Sequence, residues 1–375
     1  MKHSTEKAKE LVISAGNMLL SNGLTARTWG NISARISDEK FVITPSGLAY
    51  ETLIPEQTVA VDIADCTYEG NIKPSSEKGI HADTYRLCPE VNFIIHTHQT
   101  MASVISIEGK DIEVYNDEYN RILGDKVPCA AYGISSTKKL RRRVAEAVGN
   151  NPGTKSILMK NHGTICMGTG LEHSFEIALT LEKMAKEMYE DACGENKERS
   201  IQIPDYGKSR KEGNTFVLEC KGKSAVYNID GLQEDAPGEA LLHAEIYKSG
   251  KVNYIIHSTA DEVVKVSSSG RILRPFLDDF AQIAGVNINT VKNGIINVKA
   301  VAGELKNKNA VLLENEGALC TGATEDDAKA VVMVLRKGCA ADLYAAALNI
   351  TDHISTADAF VQRLFYKIKY SKMKK

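Results

Sequence analysis

Three histidines carry the chemistry that this sequence could perform. His96 and His98 stand two residues apart at the end of the apolar run Val91-Asn92-Phe93-Ile94-Ile95, and His162 stands in Lys160-Asn161-His162-Gly163. The run reads as a buried strand. Side chains at i and i+2 of a strand point to one face. Two imidazoles can therefore converge on one ion, with His162 as a third nitrogen ligand. Three protein ligands and an open fourth position describe a catalytic zinc rather than a structural one. A His-x-His pair alone is more often an ordinary core or surface feature, so the reading depends on what accompanies it.

A carboxylate and several small-residue loops accompany it. Glu77 lies in Pro74-Ser75-Ser76-Glu77, where the serines read as the N-cap region of a helix running to about Arg86. Glu77 and His81 are four apart and share a helix face. An acidic residue at a helix start often does no more than answer the dipole. Beside the histidines, Glu77 becomes a candidate fourth ligand or general base. Thr28-Trp29-Gly30-Asn31, Thr44-Pro45-Ser46-Gly47 and Ser75-Ser76 are loops suited to an anion. Taken singly, each reads as a plain turn. The basic run Lys138 to Arg143 reads as the solvated start of a helix. The basic tail Tyr366 to Lys375 is expected to be partly disordered.

The elements that must position these residues occur twice. Val91-Asn92-Phe93-Ile94-Ile95-His96 recurs as Val252-Asn253-Tyr254-Ile255-Ile256-His257, and Asn161-His162-Gly163 recurs as Asn315-Glu316-Gly317. Glu77 to His81 matches Glu239 to His243, and each copy ends in an amphipathic helix, Leu171 to about Ala192 and Thr324 to about Ala347. The common order points to two tandem domains of related fold, joined by a charged linker expected over Gly194 to about Asn214. In the second copy, Thr259 replaces His98 and Glu316 replaces His162. His257, Glu239 and Glu316 form a set that can in principle hold a divalent ion. The preferred expectation is that the second domain lost its metal and kept its fold.

Composition sets the outer bounds. The chain has 375 residues, room for about two domains, and is 43% hydrophobic and 25% charged, as globular proteins are. A net charge of -2 gives no electrostatic case for nucleic acid. The start of the chain carries no apolar stretch of signal-peptide type, and no run of about 18 apolar residues suggests a membrane span. The eight cysteines are scattered without a Cys-x-x-Cys pair, which reads as reduced thiols in a cytoplasmic protein.

Taken together, Gly30-Asn31, Thr44-Pro45-Ser46-Gly47, Ser75-Ser76-Glu77, His96-x-His98 and Asn161-His162-Gly163 make the stretch from about residue 5 to 192 resemble the class II aldolase/adducin family. The resemblance is closest to its fuculose-1-phosphate aldolase branch, and the second half is similar in outline. It implies an α/β fold: a three-layer α/β/α sandwich with a mixed, mostly antiparallel central sheet, present twice. Residues 1–195 would form a domain with an intact metal site, and 214–375 a degenerate one without the histidine triad.

The resemblance also implies Zn2+, or another divalent metal in its place, held by His96, His98 and His162, with Glu77 as base and occasional fourth ligand. Gly30, Asn31, Ser46, Gly47, Ser75 and Ser76 would hold the substrate phosphate. A tyrosine would protonate the departing aldehyde oxygen; Tyr115 is the candidate, with Tyr119 nearby. Tyr366 or Tyr370 are weak substitutes for a second family tyrosine. The implied reaction cleaves a ketose phosphate of the L-fuculose-1-phosphate kind to dihydroxyacetone phosphate and an aldehyde through an enediolate. A pentulose-phosphate 4-epimerase, for which Asp117 and Glu118 are candidate acids, a sugar-acid phosphate decarboxylase and a dehydratase are alternatives within the family. A non-catalytic adducin-like scaffold is the alternative of another class. The expected partner is a small sugar phosphate, without nucleic acid or membrane. The expected assembly is a homo-oligomer, a dimer of tandem chains forming a pseudo-four-fold ring.

Overall fold

The structure is a computed structural model that describes residues 2–25, 29–194, 203–232, 235–250 and 252–373, with side chains as far as Ile368. The chain falls into two compact units, Met1–Ala192 and Cys193–Lys375.

The first unit runs α1 (Thr5–Ser21), β1 (Asn31–Arg35), β2 (Lys40–Ile43), β3 (Val59–Asp62), α2 (Lys78–Leu87), β4 (Phe93–Thr97), α3 (Thr100–Ile105), β5 (Ile112–Glu113), α4 (Asp117–Leu123), β6 (Lys126–Val127), β7 (Cys129–Ala130), α5 (Lys138–Asn150), β8 (Ser156–Met159), β9 (Gly163–Gly168) and α6 (Leu171–Cys193). Seven strands form one sheet in the order β3-β2-β1-β4-β9-β8-β7. Its pairs are antiparallel except β7 with β8. β4 and β9 lie at the centre and are buried along their whole length, as a sheet covered on both faces requires. Ile80 and Tyr85 of α2 and Leu140, Val144 and Val148 of α5 share one apolar core with the sheet. The buried residues of α1 and α6, among them Val12, Leu19, Ile177 and Leu181, lie outside that core and form the third layer. The basic run at Lys138 does open a helix, with Thr137 as its N-cap.

The second unit runs β10 (Lys208–Glu212), β11 (Thr215–Cys220), β12 (Lys223–Asn228), α7 (Gly238–Ser249), β13 (Tyr254–Ser258), α8 (Asp261–Ser268), α9 (Asp278–Ile283), β14 (Thr290–Val291), α10 (Val298–Glu304), β15 (Ala310–Leu313), β16 (Gly317–Gly322), α11 (Glu325–Leu348) and α12 (Thr356–Met373). Its sheet order, β12-β11-β10-β13-β16-β15-β14, copies the first, including a single parallel pair at the β14–β15 edge. Leu242, Ile246 and Tyr247 of α7 and Val301 of α10 fill its core. The α/β sandwich is thus present twice.

Two expectations need correction. The linker foreseen over 194–214 contains β10 of the second sheet. Its sequence Lys-Ser-Arg-Lys-Glu hides the strand because Lys208 and Arg210 stay in water, paired to Glu219 at 3.0 Å and Glu212 at 2.7 Å. In the first unit α1 packs on β1 and β2. Among the described residues no helix precedes β10 to do the same, so that side of the strand needs no apolar side chains. Within the tail foreseen as partly disordered, Tyr366 to Met373 continue α12, while Lys374 and Lys375 lie outside the described residues. The helix is anchored by Gln362, whose amide donates to Asp278 at 2.5 Å, and by Arg363, which donates to the carbonyls of Gln282 and Ile283 at 2.7 and 2.5 Å.

The duplication reaches single side chains. Ser33 Oγ lies 2.6 Å from His81 Nδ1 and 2.8 Å from Tyr85 Oη; Ser209 lies 2.6 and 2.7 Å from His243 and Tyr247. Phe41 stacks on His81, and Phe216 on His243, both with centroids 6.4 Å apart. Burial pushes both imidazoles down to about 3 from an ordinary value of 6.5. These histidines fold neutral and become protonated when exposed. Their contribution to stability is complete above pH about 6.5 and is lost as pH falls from there towards 3. Unfolding at pH about 5 should therefore take up close to one proton per unit from these groups. The pH dependence of the denaturant midpoint measures this, and His243→Phe should remove the second unit's share.

Among the described residues no helix is long and apolar enough to cross a membrane. No disulfide joins the described cysteines.

Candidate metal centre

β4 delivers His96 at its fourth residue, opposite Asn31 of β1 and Ile165 of β9 in the sheet register. His98 follows just beyond the strand end. His162 comes from the tight β8–β9 connection. Asn161 takes the left-handed φ of 64° that this connection demands, a conformation asparagine tolerates better than most residues. At Gly163 a Cβ would stand 2.3 Å from the Thr97 carbonyl oxygen, so only glycine lets the turn close against β4.

The three rings meet. Centroids lie 5.0 Å apart for His96–His98, 5.2 Å for His96–His162 and 4.6 Å for His98–His162. One ligand nitrogen from each falls within 4.8 Å of the others. The His96 Nδ1–H donates to the Thr164 carbonyl at 2.8 Å, which fixes the tautomer and turns Nε2 inward. Three imidazoles beside one carboxylate are a donor set suited to zinc or another divalent cation.

Glu77 is that carboxylate. It is 8% exposed, and its oxygens lie 3.3 Å from His96 Nε2 and 3.6 Å from His162 Nε2. Oε2 accepts from the Asn31 amide at 3.1 Å, and Oε1 accepts from the Ser136 N–H at 3.2 Å and the Ser135 hydroxyl at 3.3 Å. Burial alone would raise its pKa. The imidazoles of His96, His162 and His98 around it outweigh burial and hold it well below the usual carboxylate range. Glu77 itself, not a serine, occupies the N-cap of α2. The helix starts late because Pro74 bridges Pro45 in extended pairing, and the Ser75 hydroxyl accepts from the Glu77 N–H.

The same pairing brings two expected phosphate loops together. The Ser46 N–H donates to Lys73 O at 2.9 Å, and the Ser75 N–H to Thr44 O at 3.0 Å. Gly47 carries a φ of 80° beside them, and the Ser76 hydroxyl lies 2.9 Å from that of Ser136. Gly30 has a φ of 84° and packs where a Cβ would come within 2.2 Å of the His96 carbonyl oxygen. Thr28 lies outside the described residues. Asn31 stands next to the triad, but its amide is engaged by Glu77 and by His81 Nε2, 2.5 Å away. Tyr115 is 54% exposed; its hydroxyl donates to Glu187 at 2.6 Å and its ring meets Tyr119, so its own chain does not bring it into the triad's contacts. Glu118 pairs with Lys183 at the surface.

His81 is marked in the sequence by its spacing from Glu77 and its match to His243, whereas Ser135 and Ser136 are not marked there. Ser136 has a left-handed φ of 63°, a turn that Ser-Ser-Thr ahead of a helix could have signalled.

The second unit assembles no such centre. His257 spends both ring nitrogens on the backbone: Nδ1 accepts from Tyr206 N–H at 3.1 Å, and Nε2 donates to Glu316 O at 2.7 Å. Glu239 pairs with Lys221, and Glu316 bonds the Tyr206 phenol, whose pKa is raised by burial and by that bond. Among the described residues His96, His98 and His162 are the one group with metal-ligand spacing.

Comparison with known proteins agrees with this geometry. The family model for the class II aldolase and adducin N-terminal domain matches residues 10–189 and again 205–343. A 5-deoxy-D-ribulose 1-phosphate aldolase of Bacillus thuringiensis serovar kurstaki is 31% identical over 186 residues, covering 49% of this chain and 85% of the relative. A 5-methylthioribulose-1-phosphate/5-deoxyribulose-1-phosphate aldolase of Escherichia coli O45:K1 is 33% identical over 179 residues, covering 48% of this chain and 82% of the relative. Among solved structures, an L-fuculose 1-phosphate aldolase aligns at 29% identity and a TM-score of 0.47, over 50% of this chain and 88% of the other.

Proposed function

Because the chain belongs to the class II aldolase and adducin family, in two repeats, we propose that its first unit is a metal-dependent aldolase acting on a ketose 1-phosphate. The products are dihydroxyacetone phosphate and an aldehyde. The observation that carries this reading is the meeting of three imidazoles and one carboxylate in the first unit, against no such cluster among the described residues of the second. The curated relatives, which are aldolases of five-carbon ketose 1-phosphates by name, support the substrate class.

His96, His98 and His162 would hold Zn2+, which as a Lewis acid stabilises the negative charge that develops on adjacent substrate oxygens. Neutral imidazoles leave the cation its full charge for this purpose. Glu77 takes the carbon-bound proton of dihydroxyacetone phosphate in the condensation direction and returns it in cleavage. Its low pKa keeps it ionised and ready to accept. The paired loops at Ser46-Gly47 and Ser75-Ser76, with Gly30, hold the phosphate and fix the reacting carbon near Glu77. Tyr115 is assigned the proton of the aldehyde oxygen, which it gives in condensation and takes in cleavage; because it is exposed, this role requires a ring in which it faces a neighbouring copy's site. The second unit is the degenerate domain and serves as scaffold.

The test is a screen of ketose 1-phosphates with and without a chelator. Release of dihydroxyacetone phosphate that stops on chelation and returns with Zn2+ is expected. An unchanged carbon skeleton with inversion at one centre would assign an epimerase instead, and no turnover by metal-loaded protein would assign a scaffold.

A further inference from the structure

A chain of hydrogen bonds runs from the core of the first unit to Glu77. Asn31 Oδ1 faces His81 Nε2 at 2.5 Å, and Asn31 Nδ2 faces Glu77 Oε2 at 3.1 Å. An ionised carboxylate only accepts, so the amide must turn its N–H to Glu77 and its oxygen to His81. His81 Nε2 therefore carries the proton, and Nδ1 accepts from the Ser33 hydroxyl, which in turn accepts from Tyr85. Every member is buried, with Asn31 4% and His81 1% exposed, so no water competes for these bonds.

The second unit divides this chain into two parts. It keeps Ser209, His243 and Tyr247 in the same arrangement without any metal triad. The Ser-His-Tyr part is therefore a staple of the fold. Two residues before Ser209 stands Gly207, where the first unit has Asn31. Among the described residues, the link to a carboxylate exists only in the unit that has the imidazole cluster.

We infer that Asn31 and His81 are positioning residues for Glu77: His81 holds the Asn31 amide in one orientation, and that amide aims the carboxylate at the metal triad. This gives Asn31 a task other than the phosphate contact that its place in the sequence suggests. The catalytic part of the inference rests on the aldolase reading; the wiring itself does not.

The experiment has two arms on the full-length protein. In the first, long-range 1H–15N spectra of the metal-free protein read the His81 tautomer. The proton is expected on Nε2 in the wild type, with that signal displaced in Asn31→Asp and Asn31→Gly. The glycine variant copies a residue that the second unit already tolerates. In the second arm, both variants, loaded with Zn2+, are assayed with the ketose 1-phosphate that the wild type cleaves best. A fall in kcat of about 100-fold with KM within about 3-fold and metal content unchanged is expected, the scale of a general base held out of register. A KM raised 10-fold or more with kcat retained would overturn the inference and make Asn31 a phosphate ligand. A proton on Nδ1 of His81 would also overturn it. Wild-type protein that has the expected tautomer but cleaves no ketose phosphate would uphold the wiring and sink the aldolase reading alone.

Discussion

Replacing Glu77 with glutamine is expected to lower turnover by about 10^3-fold while leaving Zn2+ in place, the scale on which positioned acid–base groups contribute. The substitution keeps the shape of the side chain, so the Ser136 N–H can still donate to its oxygen. It removes the carboxylate that lies beside the triad and takes the carbon-bound proton in the proposed reaction. Steady-state kinetics with the metal content measured on the same samples provide the check. KM should move little, because the phosphate loops are untouched. Activity near the wild-type level would remove Glu77 from the chemistry and leave it a structural neighbour of the triad.

A larger loss is expected from His98→Thr, which installs in the first unit the residue that the repeat carries as Thr259. The strand end is unchanged and threonine suits extended backbone, so the fold should survive. Two imidazoles and a carboxylate would remain. The Lewis-acid contribution is worth several kcal/mol, so its loss corresponds to on the order of 10^3-fold or more in rate. Activity should fall accordingly, and added Zn2+ should restore it only in part. Circular dichroism and thermal unfolding close to wild type would show that the change acts on the metal. Full activity at ordinary zinc concentration would mean that His98 is not a ligand.

Much of this architecture was legible in the residues. The Val-Asn-aromatic-Ile-Ile-His run announced both central strands: β4 is buried on both faces and so reads as a continuous apolar run, and β13 keeps the run although it is only partly buried. The Asn-x-Gly turns announced both hairpins, since each needs a left-handed residue at the asparagine and a missing Cβ at the glycine. The replacement of His98 and His162 in the repeat announced which unit is armed.

Other features were hidden for physical reasons. β10 was masked by Lys208 and Arg210, whose charges face water and pair with Glu219 and Glu212. The start of α2 was displaced from the serines because extended pairing between Pro45 and Pro74 outweighs local capping preference. The orientation of Asn31 could not be read at all, since a Gly-Asn turn looks the same whether its amide meets a ligand or, as here, His81 and Glu77 from a helix some fifty residues away. Tyr115 stood at a plausible spacing, yet its hydroxyl goes to Glu187 on α6, a contact that only the folded chain reveals.

The proposed chemistry depends most directly on the number of ions that the protein holds. Elemental analysis of protein purified with Zn2+ and freed of loose metal should find about one ion per chain, and none in His98→Thr. A wild-type chain that binds no divalent metal, or a variant that still carries a full equivalent, would contradict it.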